Sequence, residues 1–140
     1  MILVDTSVWI DWFSNRPRIG LRFDDLQDFA TCGPVVQEVL QGLWPGAESD
    51  RIRQAFIAMH RLSDPIPLDL FLAAAEIYRL GRRKGFTIRS SADCLIAAIA
   101  IEHRVPIWHQ DRDFAAIAQF TALEIYTAPE AAPPSGRRPT

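Results

Sequence analysis

The chain has 140 residues, 49% of them apolar and 23% charged, and a formal net charge of -2 at pH 7. This length fits one domain with a hydrophobic core of its own. The charge argues mildly against nucleic acid as a partner. Because local fields govern docking more than net charge does, separate clusters of acids and bases would overturn that argument.

Cysteine usage and the N-terminus indicate a reducing cytoplasm. Cys32 and Cys94 lie far apart without a CxxC partner, so we expect neither a zinc site nor a disulfide framework. The N-terminus has no basic region followed by a long apolar stretch, as a secretory signal would. The apolar residues around 94–101 are fewer than the roughly 20 that cross a bilayer. We expect a soluble protein without membrane contact.

Apolar patterning predicts alternating strands and helices. Strands are predicted at residues 2–4, 107–109 and 123–126, with weaker candidates at 30–32 and 66–68. Helices are predicted at residues 8–13, 35–43, 49–61 and 70–83. Strands separated by helices favour an α/β sandwich with a central, mainly parallel sheet flanked by helices. We expect one domain over residues 1–127 and, because residues 128–140 are rich in Pro and small residues, a flexible tail.

One more helix begins after Ser90 and Ser91 and is apolar almost all round, so it should be central. Its first turn carries Asp93, where the positive end of the helix dipole favours an anion. Taken alone, Asp93 is best interpreted as a complement to that dipole or as an aid to capping by Ser90.

Two other aspartates follow predicted strands. Asp5 ends the first strand, and Asp111 comes just after the strand at 107–109. Ligands bind at the carboxyl ends of parallel strands, so Asp5 is interpreted about equally well as a solvated loop residue or as a site residue. If these strand ends are neighbours and the Asp93 helix points between them, three carboxylates converge. Glu38 is a possible fourth, although on its own it is better interpreted as solvated.

Four motifs in order, DTS, QEVLQG, SADCLIAAIA and HQDRDF, resemble those of PIN-domain ribonucleases, above all the VapC toxins of bacterial toxin-antitoxin pairs. The resemblance covers about residues 1–126. It implies a PIN-like three-layer sandwich and a metal-dependent endoribonuclease that hydrolyses RNA with metal-activated water. It also implies a set of catalytic acids that bind Mg²⁺ or Mn²⁺: Asp5, Glu38, Asp93 and Asp111. Asp113 is implied as a further acidic ligand, and Thr6 and Ser7 as supporting hydroxyls. Many relatives have Thr or Ser where this chain has His109.

The chemistry of these side chains agrees with that implication. Carboxylates without a matching Lys or Arg in their motifs repel one another and either take up protons or bind cations, and Mg²⁺ prefers oxygen ligands. Ser7 lacks a nucleophile elbow and there is no Gly-rich phosphate loop, which disfavours a triad hydrolase and an NTPase. The alternative is a catalytically silent PIN-like module that binds RNA or protein. A nuclease assay with and without EDTA separates the two.

The resemblance further implies a small antitoxin whose basic side chain enters the acidic groove. Two groups of basic residues are interpreted either as solvated helix charge or as a guide for RNA: Arg79, Arg82, Arg83, Lys84 and Arg89; and Arg16, Arg18 and Arg22. The first predicted helices carry more exposed aromatic and aliphatic residues than are needed to cover one face of the sheet, which predicts a homodimer. These residues include Trp9, Trp12, Leu40 and Leu43. All four tryptophans are interpreted first as core residues: Trp9, Trp12, Trp44 and Trp108. The alternative for the first three is a dimer seam or a docking groove for the antitoxin.

Overall fold

Four strands and six α-helices lie within residues 1–14 and 23–128, the part of the chain that the computed structural model describes. The strands are β1 (Ile2–Val4), β2 (Phe29–Thr31), β3 (His60–Arg61) and β4 (Ile107–Trp108). The helices are α1 (Thr6–Trp12), α2 (Gly33–Gln41), α3 (Ala47–Ala58), α4 (Leu68–Arg83), α5 (Ser91–His103) and α6 (Arg112–Ala118). A 3-10 helix at Phe23–Asp28 precedes β2.

The strands form one parallel sheet in the order β3-β2-β1-β4. The chain moves from β1 through β2 to β3 in one direction and then returns past β1 to β4. Because such crossovers are right-handed, this reversal assigns α1, α2 and α3 to one face and α4, α5 and α6 to the other. α2 packs on α1 and α3, and α5 packs on α4 and α6, while α2 and α5 also contact each other. The expected three-layer α/β sandwich is confirmed.

The core is centred on β1 and α5. Leu3 and Val4 of β1 and Ile96 and Ile99 of α5 are fully buried. A parallel sheet covered on both faces requires strands that are apolar on both sides, and the ILV run of β1 satisfies this. The apolar circumference of α5 has the same cause, because the sheet and neighbouring helices surround it.

The chain adds β2 and β3 on one side of β1 and β4 on the other side, although all four strands are parallel. The helices that follow β1 and β4 therefore lie on opposite faces of the sheet. The two strands stay paired up to their carboxyl ends, where the Asp5 N–H donates to the Trp108 carbonyl at 2.9 Å. In open α/β sheets, ligands bind outside the strand ends at such a reversal. This edge of the sheet is therefore where a functional site is expected.

Several predicted boundaries are wrong for identifiable reasons. Residues 66–68 form no strand, because prolines at 65 and 67 lack the N–H that a ladder needs and α4 begins at Leu68. The predicted helix over 49–61 ends at Ala58, and its last two residues form the exposed edge strand β3. The predicted strand at 123–126 is reduced to one bridge between Ile125 and Ile107.

The tryptophans divide between core and surface. Trp9, expected among the exposed residues of a dimer seam, is 1% exposed and packs edge-on against Phe56, so it is a core residue. Trp12 is half-buried and Trp44 is exposed. The expected basic residues Arg16, Arg18 and Arg22, and all but the first residue of the expected tail, lie outside the described residues. Within the described part, no helix combines the length and the apolar character that crossing a bilayer demands.

Ile99→Ala should lower the free energy of unfolding by about 2 to 5 kcal/mol, because it opens a cavity at a fully buried position of α5. The same substitution at Ile10, which is 56% exposed on α1, should change it by less than about 0.5 kcal/mol. Urea unfolding followed by circular dichroism measures both. Equal losses in the two variants would show that α5 is not the centre of the core.

Candidate functional site

Asp93 provides the clearest sign of a binding site. It lies in the first turn of α5 and is 5% exposed. Its Oδ2 atom is completely buried and has no hydrogen-bond partner among the described residues. Ser90 is the N-cap residue but makes no side-chain capping bond, so an aid to capping does not explain Asp93. A buried acceptor without a partner is costly, and a bound cation would remove that cost.

Burial raises the pKa of the Asp93 carboxyl to about 8, and the negative charges of Asp111 and Asp5 act in the same direction. A hydrogen bond with Asp111 raises it further. Without a cation, the carboxyl group is therefore favoured in its protonated form below that pH. A cation would displace this proton, because metal ligands bind in their deprotonated form.

Two further aspartates close the cluster beyond β4. Asp111 caps α6, its Oδ1 accepting the N–H of Asp113 at 3.0 Å, and Asp113 is buried. Asp93, Asp111 and Asp113 can each offer one oxygen such that the three atoms lie within 4.8 Å of one another. Bonds of about 2.0 to 2.6 Å place the ligands of one divalent cation at such separations. The residues present thus fit a divalent cation.

Asp5 has two roles at the end of β1. It caps α1, its Oδ2 accepting the Ser7 N–H at 3.0 Å and the Ser7 hydroxyl at 2.7 Å. Burial raises the pKa of the Asp5 carboxyl, and the nearby charge of Asp111 adds to this, although the bonds from Ser7 oppose it. Asp5 is therefore a helix cap that also faces the cluster. The solvated-loop interpretation is wrong, since Asp5 is buried.

Ser7 joins the two halves of the site. While donating to Asp5, its hydroxyl oxygen accepts the Gln110 N–H at 2.9 Å. The loop after β4, which leads to Asp111, is thereby fixed to the first turn of α1. Ser7 supports the site as an anchor, consistent with its expected supporting role.

Glu38 reaches the site through Thr6. The Thr6 hydroxyl donates to Glu38 Oε1 at 3.0 Å, and the Glu38 side chain on α2 is half-buried. The charges of Asp5 and Glu38 both raise the pKa of Cys32, which places the two acids around that thiol. Glu38 is not part of the group formed by the other three acids. It lies on the Asp5 side of the site and is oriented by Thr6.

His109 supports the backbone of the site. Its Nδ1 accepts the Asp111 N–H at 3.1 Å, and its ring packs against Phe114. Burial lowers the pKa of the imidazole, so the ring is favoured in the neutral form that this acceptor role needs. His109 thus supplies the hydrogen-bond acceptor for the N–H group of Asp111.

Arg89 belongs to the site in a way that its sequence position did not reveal. Its Nη2 lies 3.6 Å from Asp111 Oδ1 and its Nε 3.7 Å from Asp113 Oδ1. Its backbone N–H donates to Asp113 Oδ2 at 3.2 Å. Asp111 and Asp113 thus have a basic neighbour that lies outside the acidic motifs, in the basic group that precedes α5. The available signal was an arginine four residues before Asp93.

Neither thiol competes for these roles. Cys32 and Cys94 are buried and unpaired, and burial raises their pKa values to about 12 and about 11. Thiolates are the nucleophilic and metal-binding form of cysteine. Protonated thiols at neutral pH leave an oxygen-only set of donors around Asp93.

Comparison with known proteins supports the family that the sequence motifs indicate. The sequence model of the PIN domain matches residues 2–119. The chain is 38% identical over 130 residues to VapC ribonuclease Mb1587 of Mycobacterium bovis, covering 89% of this chain and 96% of the relative. Ribonuclease VapC11 of Mycobacterium tuberculosis matches with the same identity and coverage.

Solved structures share the fold at lower identity. A toxin-antitoxin complex from Klebsiella pneumoniae matches with a TM-score of 0.67 and 24% identity, over 89% of this chain and 100% of that chain. VapBC-5 from Mycobacterium tuberculosis matches with a TM-score of 0.65 and 24% identity, over 90% and 97% of the two chains. FitAcB from Neisseria gonorrhoeae matches with a TM-score of 0.62 and 19% identity, over 91% and 97%.

Metal-free protein should lose stability as the pH rises from about 4 to about 8. The pKa of Asp93 is about 8 in the folded chain and near 3.8 otherwise, so within this window the folded state binds the extra proton and rising pH favours unfolding. Asp93→Asn should reduce this loss of stability with rising pH. Part of the loss should remain in the variant, because the pKa of Asp5 is also raised. Melting temperatures measured with a chelator from pH 4 to 8 test this.

The matched control is Asp69→Asn, at an exposed aspartate in the first turn of α4. It should leave the pH dependence as in the parent. If Asp93→Asn and Asp69→Asn gave parallel curves, Asp93 would not hold the proton.

Proposed function

The chain belongs to the PIN-domain family, and from this premise we propose that it is a metal-dependent endoribonuclease and the toxin of a toxin-antitoxin pair. It hydrolyses RNA phosphodiester bonds with metal-activated water. The observation that carries the proposal is the buried, unpartnered Oδ2 of Asp93 beside Asp111 and Asp113. The two ribonucleases named above, similar over most of their length, support RNA as the substrate.

The donor set favours Mg²⁺ or Mn²⁺. Carboxylate oxygens are the ligands that these hard cations prefer, whereas thiolates and imidazoles would favour zinc. Both cysteines are protonated at neutral pH and His109 is engaged with the Asp111 backbone. When bound, such a cation supplies a water of lowered pKa and stabilises negative charge on the phosphoryl oxygens.

The chain's own residues hold this chemistry in place. Asp93, Asp111 and Asp113 provide the oxygens, and Asp93 gives up its proton when they are engaged. Asp5 is fixed by Ser7, and Glu38 by Thr6, so their carboxylates face the site in defined orientations. Bonds of this kind raise metal affinity by holding each ligand in its productive orientation.

Asp5→Asn and Asp93→Asn should each lower RNA cleavage by orders of magnitude, because each removes a charge that the cation needs while preserving size and shape. Asn also caps a helix about as well as Asp, so α1 should persist in Asp5→Asn. Cleavage of a labelled RNA with Mg²⁺, with Mn²⁺ and with EDTA measures the effect. The exposed control Asp69→Asn should cut as the parent does.

Circular dichroism establishes that each variant is folded. Folded Asp93→Asn protein that cuts RNA at the parental rate would contradict the proposed catalytic site. Cleavage by the parent that persists in EDTA would contradict metal dependence and leave RNA hydrolysis standing.

The proposed partner is a small antitoxin that places an Arg or Lys side chain in the acidic cluster. Solved structures with this fold include toxin-antitoxin complexes. The guanidinium group of Arg89 lies 3.6 to 3.7 Å from Asp111 and Asp113, and a guanidinium that approached more closely would form charge-assisted hydrogen bonds with these carboxylates. Affinity purification from the native host should recover a small protein with a basic tail, and its absence would count against this partner.

A homodimer is also proposed, on a surface different from the one the sequence favoured. Leu68, Phe71 and Leu72 of α4 are exposed, and a cavity of about 520 Å³ lies beside them, lined by Tyr78 and Leu95 among others. A contiguous apolar surface of this kind is typical of an interface. Light scattering that shows only monomer at high concentration would exclude the dimer.

The unpaired cysteines favour a cytoplasmic location.

A further inference from the structure

A second cavity lies beside the acidic cluster and has the opposite chemical character. It measures about 290 Å³ and is lined by Thr87, Arg89, Arg112, Asp113 and Ala116. Two of these residues are arginines and one is a threonine, so most of its polar groups are donors. It opens at the surface next to the proposed cation site, because Asp113 belongs to both.

The backbone before α5 directs two of these side chains to one side. Ile88 is buried, whereas Thr87 and Arg89 on either side of it are exposed. Alternating burial is typical of extended chain, in which neighbouring side chains point to opposite sides. Burial of Ile88 therefore fixes Thr87 and Arg89 toward the cavity, opposite Arg112 at the start of α6.

The Arg89 side chain is only loosely engaged by the acids. Its distances of 3.6 and 3.7 Å to Asp111 and Asp113 exceed the range of about 2.7 to 3.2 Å for a hydrogen bond. The side chain is 56% exposed, and exposed ion pairs contribute little to stability. Arg112 is exposed and forms no ion pair with a described residue. Both guanidinium groups can thus donate to another anion.

We infer that Thr87, Arg89 and Arg112 form a subsite for a backbone phosphate of RNA next to the bond that is cut. This inference rests on the proposed function. The planar donors of arginine match phosphate oxygens in pairs, and the Thr87 hydroxyl adds a donor on the same side. The subsite would fix where the RNA strand lies relative to the cation.

Arg89 couples this subsite to the cation site. The carboxylate of Asp113 lies in the cavity wall and repels a phosphate as long as its charge is not neutralised. A cation held by Asp93, Asp111 and Asp113 would neutralise that charge and release Arg89 from its two acidic neighbours. Phosphate and cation should therefore each strengthen the binding of the other, since such coupling is reciprocal.

Inorganic phosphate provides a test that does not depend on RNA. Titration of the full chain, followed by the NMR shifts of its backbone amides, should give saturable changes centred on Thr87, Arg89 and Arg112, with tighter binding in Mg²⁺ than in EDTA. Arg89→Gln and Arg112→Gln should each weaken binding about tenfold or more. Arg53→Gln, which removes the same charge from an exposed position on α3, should have no effect. No saturable change, or equal weakening by all three, would overturn the subsite.

RNA binding provides the second test. In the Asp5→Asn background with Mg²⁺, which keeps Asp93, Asp111 and Asp113 and should bind RNA without cutting it, fluorescence anisotropy of a labelled single strand is measured over a range of salt concentrations. The slope of log affinity against log salt should fall by about 0.7 for each phosphate that the protein no longer neutralises, so Arg89→Gln and Arg112→Gln should lower it and Arg53→Gln should not. An unchanged slope would mean that Arg89 only pairs with the acids.

The two proposals fail differently. If the parent does not cut RNA but phosphate still binds as described, the proposed function is wrong and the anion site remains. If the parent cuts RNA and neither arginine alters phosphate binding or the salt slope, only the subsite is wrong. Melting temperatures of the arginine variants in EDTA confirm that each protein is folded when it is assayed.

Discussion

The pairing of β1 with β4 is the contact on which the whole site depends. Hydrogen bonds from Leu3 to Pro106 and from Asp5 to Trp108 set the register of these two strands. A shift of one residue would turn the side chains of β1 to the opposite faces of the sheet, and the carboxylate of Asp5 would leave the site. Burial of Leu3 and Val4 on both faces resists such a shift. The core therefore specifies the geometry of acids that contribute nothing to its apolar packing.

Acids held this close repel one another, and the structure limits the repulsion in three ways. Asp5 and Asp111 accept backbone N–H groups at helix starts, and at Asp5 the bonds from Ser7 lower the pKa against the larger effect of burial. Arg89 lies beside Asp111 and Asp113. Asp93 has neither a capping bond nor a basic neighbour among the described residues and favours its protonated form instead. The proposed cation site is therefore centred on Asp93, the acid of the cluster that has neither kind of stabilising contact.

Burial explains which parts of the fold could be predicted from the sequence. β1 and α5 are surrounded by protein, so their apolar runs are long and distinct. β3 could not be predicted, because its two exposed residues, His60 and Arg61, carry no apolar pattern. The sequence left Trp9 open between the core and a dimer seam, because an aromatic residue on a short helix fits either, and the packing against Phe56 decides for the core.

The same distinction holds for the site. Motif order predicts which acids are present, and the parallel topology explains why the ends of β1 and β4 meet. Contacts between side chains distant in sequence are not encoded in any local pattern, as the bond from Thr6 to Glu38 and the approach of Arg89 to Asp111 illustrate. Only the packing of α2 and of the extended segment before α5 brings these groups together.

The double use of Asp5 and Asp111, as helix caps and as acids of the site, restricts the substitutions that this scaffold can accept. Alanine at either position would remove the cap together with the charge, and glutamate would move the carboxylate away from the N–H group that it accepts. Asparagine alone resembles aspartate closely enough in shape to keep the helix start intact. Aspartate and asparagine codons differ by a single base, so a folded form of this protein that lacks one acid of the candidate site lies a single base change away.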